Sequence, residues 1–243
     1  MVIFGAQMKI NNPFEKKLKR SVLEHLYKKG ILDEKTIVIN ELTIDSFSRR
    51  ADLVVIKNGK MIAYEIKSDA DSLNRLSGQM DKYLDYFDKV VVVTTSKHTP
   101  NILNSINEKI EVWEIADDKV ILKKRGKLQR VESKEKYLDL LKVHEMKKMA
   151  HLFHIKLEGK NKQEVRKSII KGLSGISFEK LKAFTINAIS NRYALTSNLF
   201  IENILLRKKV ILSDIDLLSP YSAQRTNIYI GHEESILEQL MKL

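Results

Sequence analysis

The chain has no cysteine among its 243 residues. Disulfides, thiolate metal ligands and thiol nucleophiles are therefore excluded together. This is compatible with a cytoplasmic location, which is the expectation. No segment approaches the roughly 18 uninterrupted apolar residues of a membrane span. Residues 1–9 run into polar and charged positions too early to be the apolar core of a secretory signal. The six histidines share no spacing that demands a metal site, and the nearest approach is His151 with His154. Gly5 and Gly59 do not form a phosphate-binding glycine loop. Internal repeats, low-complexity tracts and a concentrated basic tail are also missing.

What remains is a core-forming composition, 43% hydrophobic and 30% charged. The length suits one large domain, or a main domain with a smaller second one. Forty-three Lys and Arg against 31 Asp and Glu give a net charge of +12. Residues 1–150 carry +7 of it (29 basic, 22 acidic) and residues 151–243 carry +5 (14 basic, 9 acidic). Any nucleic-acid footprint must therefore be assembled by folding.

After Pro13, residues Leu18, Val22, Leu23 and Leu26 recur at helical spacing, and Gly30 ends the pattern. Strands are expected at 36–44, 52–56 and 61–67, with a polar turn at 46–50 and a tight Asn58-Gly59 hairpin. A helix capped by Asp69 or Asp71 should run to about residue 86. The run Val90-Val91-Val92-Val93 reads as a buried strand. A short helix at 99–107 follows, then strands at 110–115 and 120–124 around Asp117-Asp118. The order is αβββαβ, then a helix and two edge strands. It implies an α/β fold with a mixed sheet of four to six strands. Helices are expected at 134–148, 163–173, 177–192, 197–208 and 233–241. The link Ser174-Gly175-Ile176-Ser177 also admits a helix-turn-helix reading.

The chemistry concentrates between Glu41 and Tyr83. Glu65 and Lys67 are two apart on a strand, so they share a face with Ala63, while Ile62, Tyr64 and Ile66 share the other. Asp52 and Glu65 both lie at the end of the hairpin far from its turn. Two close carboxylates repel, and a divalent cation relieves that repulsion. Mg²⁺ prefers hard oxygen donors and keeps several waters. Asp52, Glu65 and the Ile66 carbonyl would supply part of its shell, with Mn²⁺ able to substitute. Lys67 would face the bound water or the scissile phosphate, which is a route to phosphodiester hydrolysis. The same residues also read as a cross-strand ionic cluster.

Together Glu41, Arg50-Ala51-Asp52 and Glu65-Ile66-Lys67-Ser68-Asp69 resemble the sce7726 family, within the PD-(D/E)XK (restriction-endonuclease-like) nucleases. The match covers roughly residues 13–125. It implies a restriction-endonuclease-like αβββαβ core at 1–130, a connecting helix at 131–150 and a mainly helical accessory region at 151–243. Asp52 and Glu65 take the positions of the metal-binding acids, Lys67 that of the lysine, and Ala51 that of the superfamily's variable proline. Gln79 and Tyr83 match the glutamine and tyrosine of the exonuclease-like branches, there to touch a nucleotide or position the lysine and water. Glu41 would bind a second metal or hold a water, or is a surface acid. Glu24 would be a helix-borne acid near the metal, or an ordinary solvent-facing charge. Arg49, Arg50 and Arg75 would contact phosphates, or pair with Asp45, Asp71 or Asp81.

The implied partner is a nucleic acid, DNA before RNA, with products carrying 5′-phosphate and 3′-hydroxyl ends. Other readings are a non-catalytic nucleic-acid-binding module and a phage or mobile-element accessory protein. Residues 151–243 would then bind a protein partner or a second copy. Arg207-Lys208-Lys209 reads either as a backbone contact or as helix C-terminal charge.

Overall fold

The computed structural model describes residues 13–44, 49–159 and 161–219. The expectations for the chain start, Asp45, the turn at 46–48, His232 and a helix at 233–241 lie outside the described residues.

Helix α1 (Pro13–Lys28) buries Leu18, Val22, Leu23 and Leu26 on one stripe. Gly30 at φ +66° ends it. The Gly30 N–H bonds the Tyr27 carbonyl at 2.9 Å and the Ile31 N–H bonds the Leu26 carbonyl at 3.0 Å, a Schellman closure. Six strands follow: β1 (Ile37–Ile44), β2 (Arg49–Lys57), β3 (Lys60–Lys67), β4 (Lys89–Thr94), β5 (Glu111–Ala116) and β6 (Lys119–Lys124). Asn58 and Gly59 both have positive φ, as the two-residue hairpin requires, and Asp117 and Asp118 repeat the device between β5 and β6.

The sheet order is β1-β2-β3-β4-β5-β6. The pairs β3–β4 and β4–β5 are parallel and the others antiparallel. The fold is therefore mixed α/β, with a six-stranded mixed sheet and a helical C-terminal region. The order αβββαβ is the one the resemblance implies.

Helix α2 (Leu76–Leu84) connects β3 to β4, and α3 (Thr99–Ser105) connects β4 to β5. Arg75 occupies the N-cap of α2. Asp69 and Asp71, expected as caps, instead tie the loop before it. Asp69 bonds the Thr95 hydroxyl, and Asp71 accepts the Ser68 N–H and hydroxyl at 2.8 and 2.6 Å.

After the sheet come α4 (Lys134–Asp139), α5 (Val143–Leu152), α6 (Lys162–Gly172), a 3₁₀ turn at Leu173–Gly175, α7 (Phe178–Arg207) and α8 (Asp214–Leu217). The single helix expected at 134–148 is two. Leu140 and Leu141 turn into the core between them, and the Glu145 carboxylate restarts the helix by accepting the Lys142 N–H at 2.7 Å. The helices expected at 177–192 and 197–208 are one continuous 30-residue helix.

Two hydrophobic clusters flank the sheet. One joins Ile39, Val54, Ala63, Val90 and Val92 to Met80, Tyr83, Met146, Leu181 and Ile189. The other joins Val38, Leu53, Tyr64, Val91 and Trp113 to Leu23, Phe200, Ile201 and Ile204. Helix α7 thus contributes its first half to one face and its second half to the other. It passes the open edge of β1, where the Ser197 hydroxyl accepts the Val38 N–H at 2.9 Å and donates to the Thr36 carbonyl at 3.3 Å. One serine stands in for the missing neighbouring strand. Residues 151–219 have no separate core, because their buried side chains enter these two clusters.

Candidate active site

The ladder between β2 and β3 is regular from Lys57↔Lys60 to Leu53↔Tyr64. Beyond it, β3 continues beside β4 to Lys67↔Thr94. The Asp52 carboxylate accepts the Ile66 N–H at 2.8 Å, which the diverging β2 backbone no longer reaches. Side-chain alternation also changes phase here. Val54 and Ala51, three apart, belong to the same cluster, as do Ile39 and Leu42 on β1. Between Ile39 and Leu42 lies Glu41, at φ +67°. A left-handed non-glycine residue stores backbone strain, and this one sits beside the candidate site.

Glu65 is 2% exposed and its carboxylate is fully engaged. One oxygen accepts Lys67 Nζ at 2.7 Å and Gln79 Nε2 at 2.8 Å. The other accepts the Tyr83 hydroxyl at 2.8 Å. Gln79 and Tyr83 are one turn apart on α2, and a second Gln79 N–H reaches the Tyr83 oxygen at 3.0 Å. The Tyr83 hydroxyl also faces the Arg50 carbonyl at 2.7 Å, so its single proton lies between two acceptors.

Burial pushes the Asp52 carboxyl up to about 7, with help from the Glu65 charge. The Lys19 ammonium and the Ile66 N–H oppose that rise, and Glu15 adds to it. For Lys67, burial acts downward, but the ion pair with Glu65 outweighs it, with Asp52 and Asp71 behind, and the ammonium is held above its ordinary range. Lys67 is therefore a fixed positive charge here, and a proton acceptor only after losing that partner. Burial first, then Glu65 and Asp52, keep the Tyr83 phenol protonated.

The structure thus brings together Asp52, Glu65, Ile66, Lys67, Gln79 and Tyr83. Tyr83 is fully buried, which corrects its placement as a nucleotide contact: it braces Glu65 from below. Glu41 pairs with Arg50 at 3.1 Å on the rim. Arg49 lies opposite Ile44 at the end of the β1–β2 ladder. Arg75 is exposed at the head of α2. Glu24 does not join the cluster. Its carboxylate accepts the Val210 N–H at 2.8 Å and pairs with Lys28 at 2.9 Å, fastening α1 to the segment after α7. Arg207 is taken by the buried Asp214 at 2.8 Å. Among the described residues, no three His, Cys, Asp or Glu side chains form a metal-holding group. No helix among them is long and apolar enough to cross a membrane.

The α1 residues that act on Asp52 are Glu15 and Lys19, which the sequence reading passed over. Lys19 pairs with Glu15 at 2.8 Å and donates to Asn40 Oδ1 at 2.8 Å. A signal was present. Lys19 occupies the apolar stripe with Val22, Leu23 and Leu26, where a lysine is out of place.

Solved structures offer two distant likenesses. A protein of unknown function from Silicibacter pomeroyi, SPO1766, shares 13% identity at a TM-score of 0.41, over 59% of this chain and 93% of that one. Pyrococcus furiosus SfsA, solved with Ca²⁺, shares 14% identity at a TM-score of 0.28, over 47% of this chain and 65% of that one. At these scores neither carries an argument about fold or function. The sequence relationship is much stronger. Protein cII of Enterobacteria phage P4 is 34% identical over 218 residues, spanning 88% of this chain and 80% of that protein. The profile of the family described as bacteriophage P4 protein cII matches residues 8–219, while the sce7726 assignment gains no support from these comparisons. The chain belongs to the bacteriophage P4 protein cII family.

Proposed function

We propose that this protein is a divalent-metal-dependent nuclease that hydrolyses phosphodiester bonds, with DNA as its substrate, in the service of a phage or mobile element. The observation that carries the reading is the convergence of Asp52, Glu65 and Lys67 at the end of the β2–β3 hairpin. There Asp52 is repelled by Glu65 and held by one backbone N–H. That donor set suits a hard cation. Asp52, Glu65 and the Ile66 carbonyl would hold Mg²⁺ or Mn²⁺, leaving the remaining positions to water. The metal would polarise the phosphoryl oxygens and acidify a bound water.

The chain's own residues have separable tasks. Gln79 and Tyr83 fix the Glu65 carboxylate in one orientation. Lys67, held protonated, offers positive charge to the phosphate as negative charge builds on it. Arg49, Arg50 and Arg75 supply phosphate contacts at the rim. Glu41 contributes as an acid once Arg50 leaves it for a phosphate.

The test is cleavage of labelled single- and double-stranded DNA, with RNA in parallel, in Mg²⁺ or Mn²⁺. Intact protein is compared with folded Glu65→Ala and Lys67→Ala variants. Metal-dependent products from the intact protein alone support the reading, and equal cleavage by all three removes it.

A second reading is a nucleic-acid-binding phage accessory protein that keeps the core without cleavage. It is favoured by a specific feature: every oxygen of Glu65 is already satisfied within the protein. Salt-sensitive DNA binding without cutting, or capture of a protein partner through residues 151–243, would select it.

A further inference from the structure

Residues 142–156 hold four lysines and three histidines against one acid, Glu145. Helix α5 sorts them by face. Glu145, Met146, Met149 and Ala150 turn inward, while His144, Lys147, Lys148 and His151 are exposed. Those four positions are i, i+3, i+4 and i+7, one stripe along the helix. The single acid does not offset the stripe. Its carboxylate is buried, and it accepts Arg192 Nε at 3.0 Å and the Lys142 N–H at 2.7 Å. His144 Nε2 stays 4.0 Å from it. Among the described residues, no carboxylate pairs with Lys142, Lys147, Lys148 or Lys156. Lysines elsewhere are neutralised: Lys57, Lys89, Lys127 and Lys136 lie 2.8–2.9 Å from a carboxylate. The helix closes at His154, whose φ of +54° is the left-handed conformation that glycine usually supplies, and the Ile155 N–H bonds the Ala150 carbonyl at 2.8 Å. An exposed imidazole thus stands at the end of the stripe where a glycine would be less strained.

We propose that the outer stripe of α5 is a docking surface for the phosphate backbone of DNA, resting on the nucleic-acid partner proposed above but not on its metal or its cleavage. From His144 to His151 the stripe runs about 10 Å at 1.5 Å per residue, the span of three phosphates spaced about 3.4 Å along one strand. Lysine offers a point charge and imidazole an N–H, which suit phosphate oxygens and read no sequence. A membrane surface fits less well. The apolar face of α5 is already buried, with Met146, Met149 and Ala150 in the cluster that holds Met80 and Tyr83 of α2. An acidic protein would need an apolar or aromatic anchor, and Leu152 is the one large apolar side chain exposed within 142–156. The shared cluster also places α5 on the sheet face that carries α2, the helix that brings Gln79 to Glu65. DNA held on α5 is therefore held on the α2 side of the sheet.

The experiment measures binding of the full chain to a fluorescein-labelled DNA duplex by anisotropy, in EDTA so that nothing is cut, across a range of NaCl. Wild type is compared with Lys147→Gln/Lys148→Gln and with Lys147→Arg/Lys148→Arg. A third variant, Lys29→Gln/Lys60→Gln, removes equal exposed charge near the Asn58-Gly59 hairpin. The α5 glutamine pair should bind roughly 10–100-fold more weakly at about 0.1 M NaCl. Its log–log salt slope should flatten by about 1.8, the effect of two lost phosphate contacts, equally on unrelated sequences. The arginine pair should keep both affinity and slope, and the hairpin pair should change affinity less than about threefold. Equal losses in the α5 and hairpin pairs would assign the effect to net charge and overturn the surface. If wild type binds DNA and the α5 glutamine pair binds as tightly, the surface is overturned and the nucleic-acid reading stands. If wild type binds no DNA, both fall. A glutamine pair that keeps DNA binding but loses binding to phosphatidylserine vesicles overturns it in favour of a membrane. An unchanged unfolding midpoint checks the fold, and if the pair fails that check, Lys148→Gln alone tests the same contact with half the slope change.

Discussion

At the scale of single residues, Glu65 and Asp52 are both carboxylates, each one residue beyond the last ladder pair Leu53↔Tyr64, yet they meet opposite surroundings. Glu65 accepts three directed hydrogen bonds. Asp52 has the Ile66 N–H, and burial first, then the Glu65 charge, raises its carboxyl from an ordinary 3.8 to about 7. The sign of the consequence follows. Well below pH 4, the carboxyl is protonated in both folded and unfolded chains and contributes nothing. Between about pH 4 and 7 the unfolded chain ionises first, so folded stability falls as pH rises, and above 7 the loss is complete. Asp52→Asn removes this pH dependence and keeps an acceptor for the Ile66 N–H. In EDTA the variant should converge on wild type as pH falls below 4 and exceed it by a few kcal/mol above pH 7, on the order of the shift itself. Urea unfolding followed by the single Trp113 measures it. A constant difference across that range would remove the assigned shift.

At the scale of elements, α7 decides how the sheet ends. Its length is about 45 Å at 1.5 Å per residue. Its buried positions run Leu181, Thr185 and Ile189 in the first half, then Thr196, Ser197, Phe200, Ile201 and Ile204 in the second. The buried stripe rotates around the helix because the helix leaves one sheet face for the other as it passes β1. This is why the sequence pattern reads as two helices: each half has its own period, and the shift between them mimics a break. Ser197 sits at the crossing. Ser197→Ala leaves the buried Val38 N–H without its partner and should lower stability by about 1–3 kcal/mol. Chemical denaturation checks this, and hydrogen exchange should quicken first at Val38. An unchanged exchange rate at that amide would contradict the assigned role.

At the scale of the whole molecule, the C-terminal helices are structural to the sheet. Leu181 and Ile189 close one face, and Phe200, Ile201 and Ile204 the other. Glu24 with Val210, and Lys16 with Asp216 at 2.7 Å, clamp α1 to the segment after α7 and to α8. Helix α1 is the same helix whose Glu15 and Lys19 charges act on Asp52. A chain cut after residue 150 should therefore lose the side chains that cover both faces, and with them its near-ultraviolet dichroism and its compact gel-filtration volume. A truncated chain that kept both would show that the sheet is self-sufficient. Cleavage assays intended to separate chemistry from partner binding need surface substitutions instead of that deletion.

The sequence by itself determined the order of elements through the sheet, the Asn58-Gly59 hairpin, the closure at Gly30, and the facing of Glu65 with Lys67 and of Gln79 with Tyr83. All of these depend on spacing within a few residues, where strand period, helix turn and positive-φ chemistry leave little choice. Tertiary structure decided the rest. Only packing of α1 on the sheet selects Glu15 and Lys19, and sends Glu24 to Val210, because rotation of a helix about its axis is set by distant partners. Only the covering of β1 makes α7 one helix. Only burial beneath β3 turns Tyr83 from a candidate nucleotide contact into a brace for Glu65, since a side chain's exposure depends on everything that folds over it.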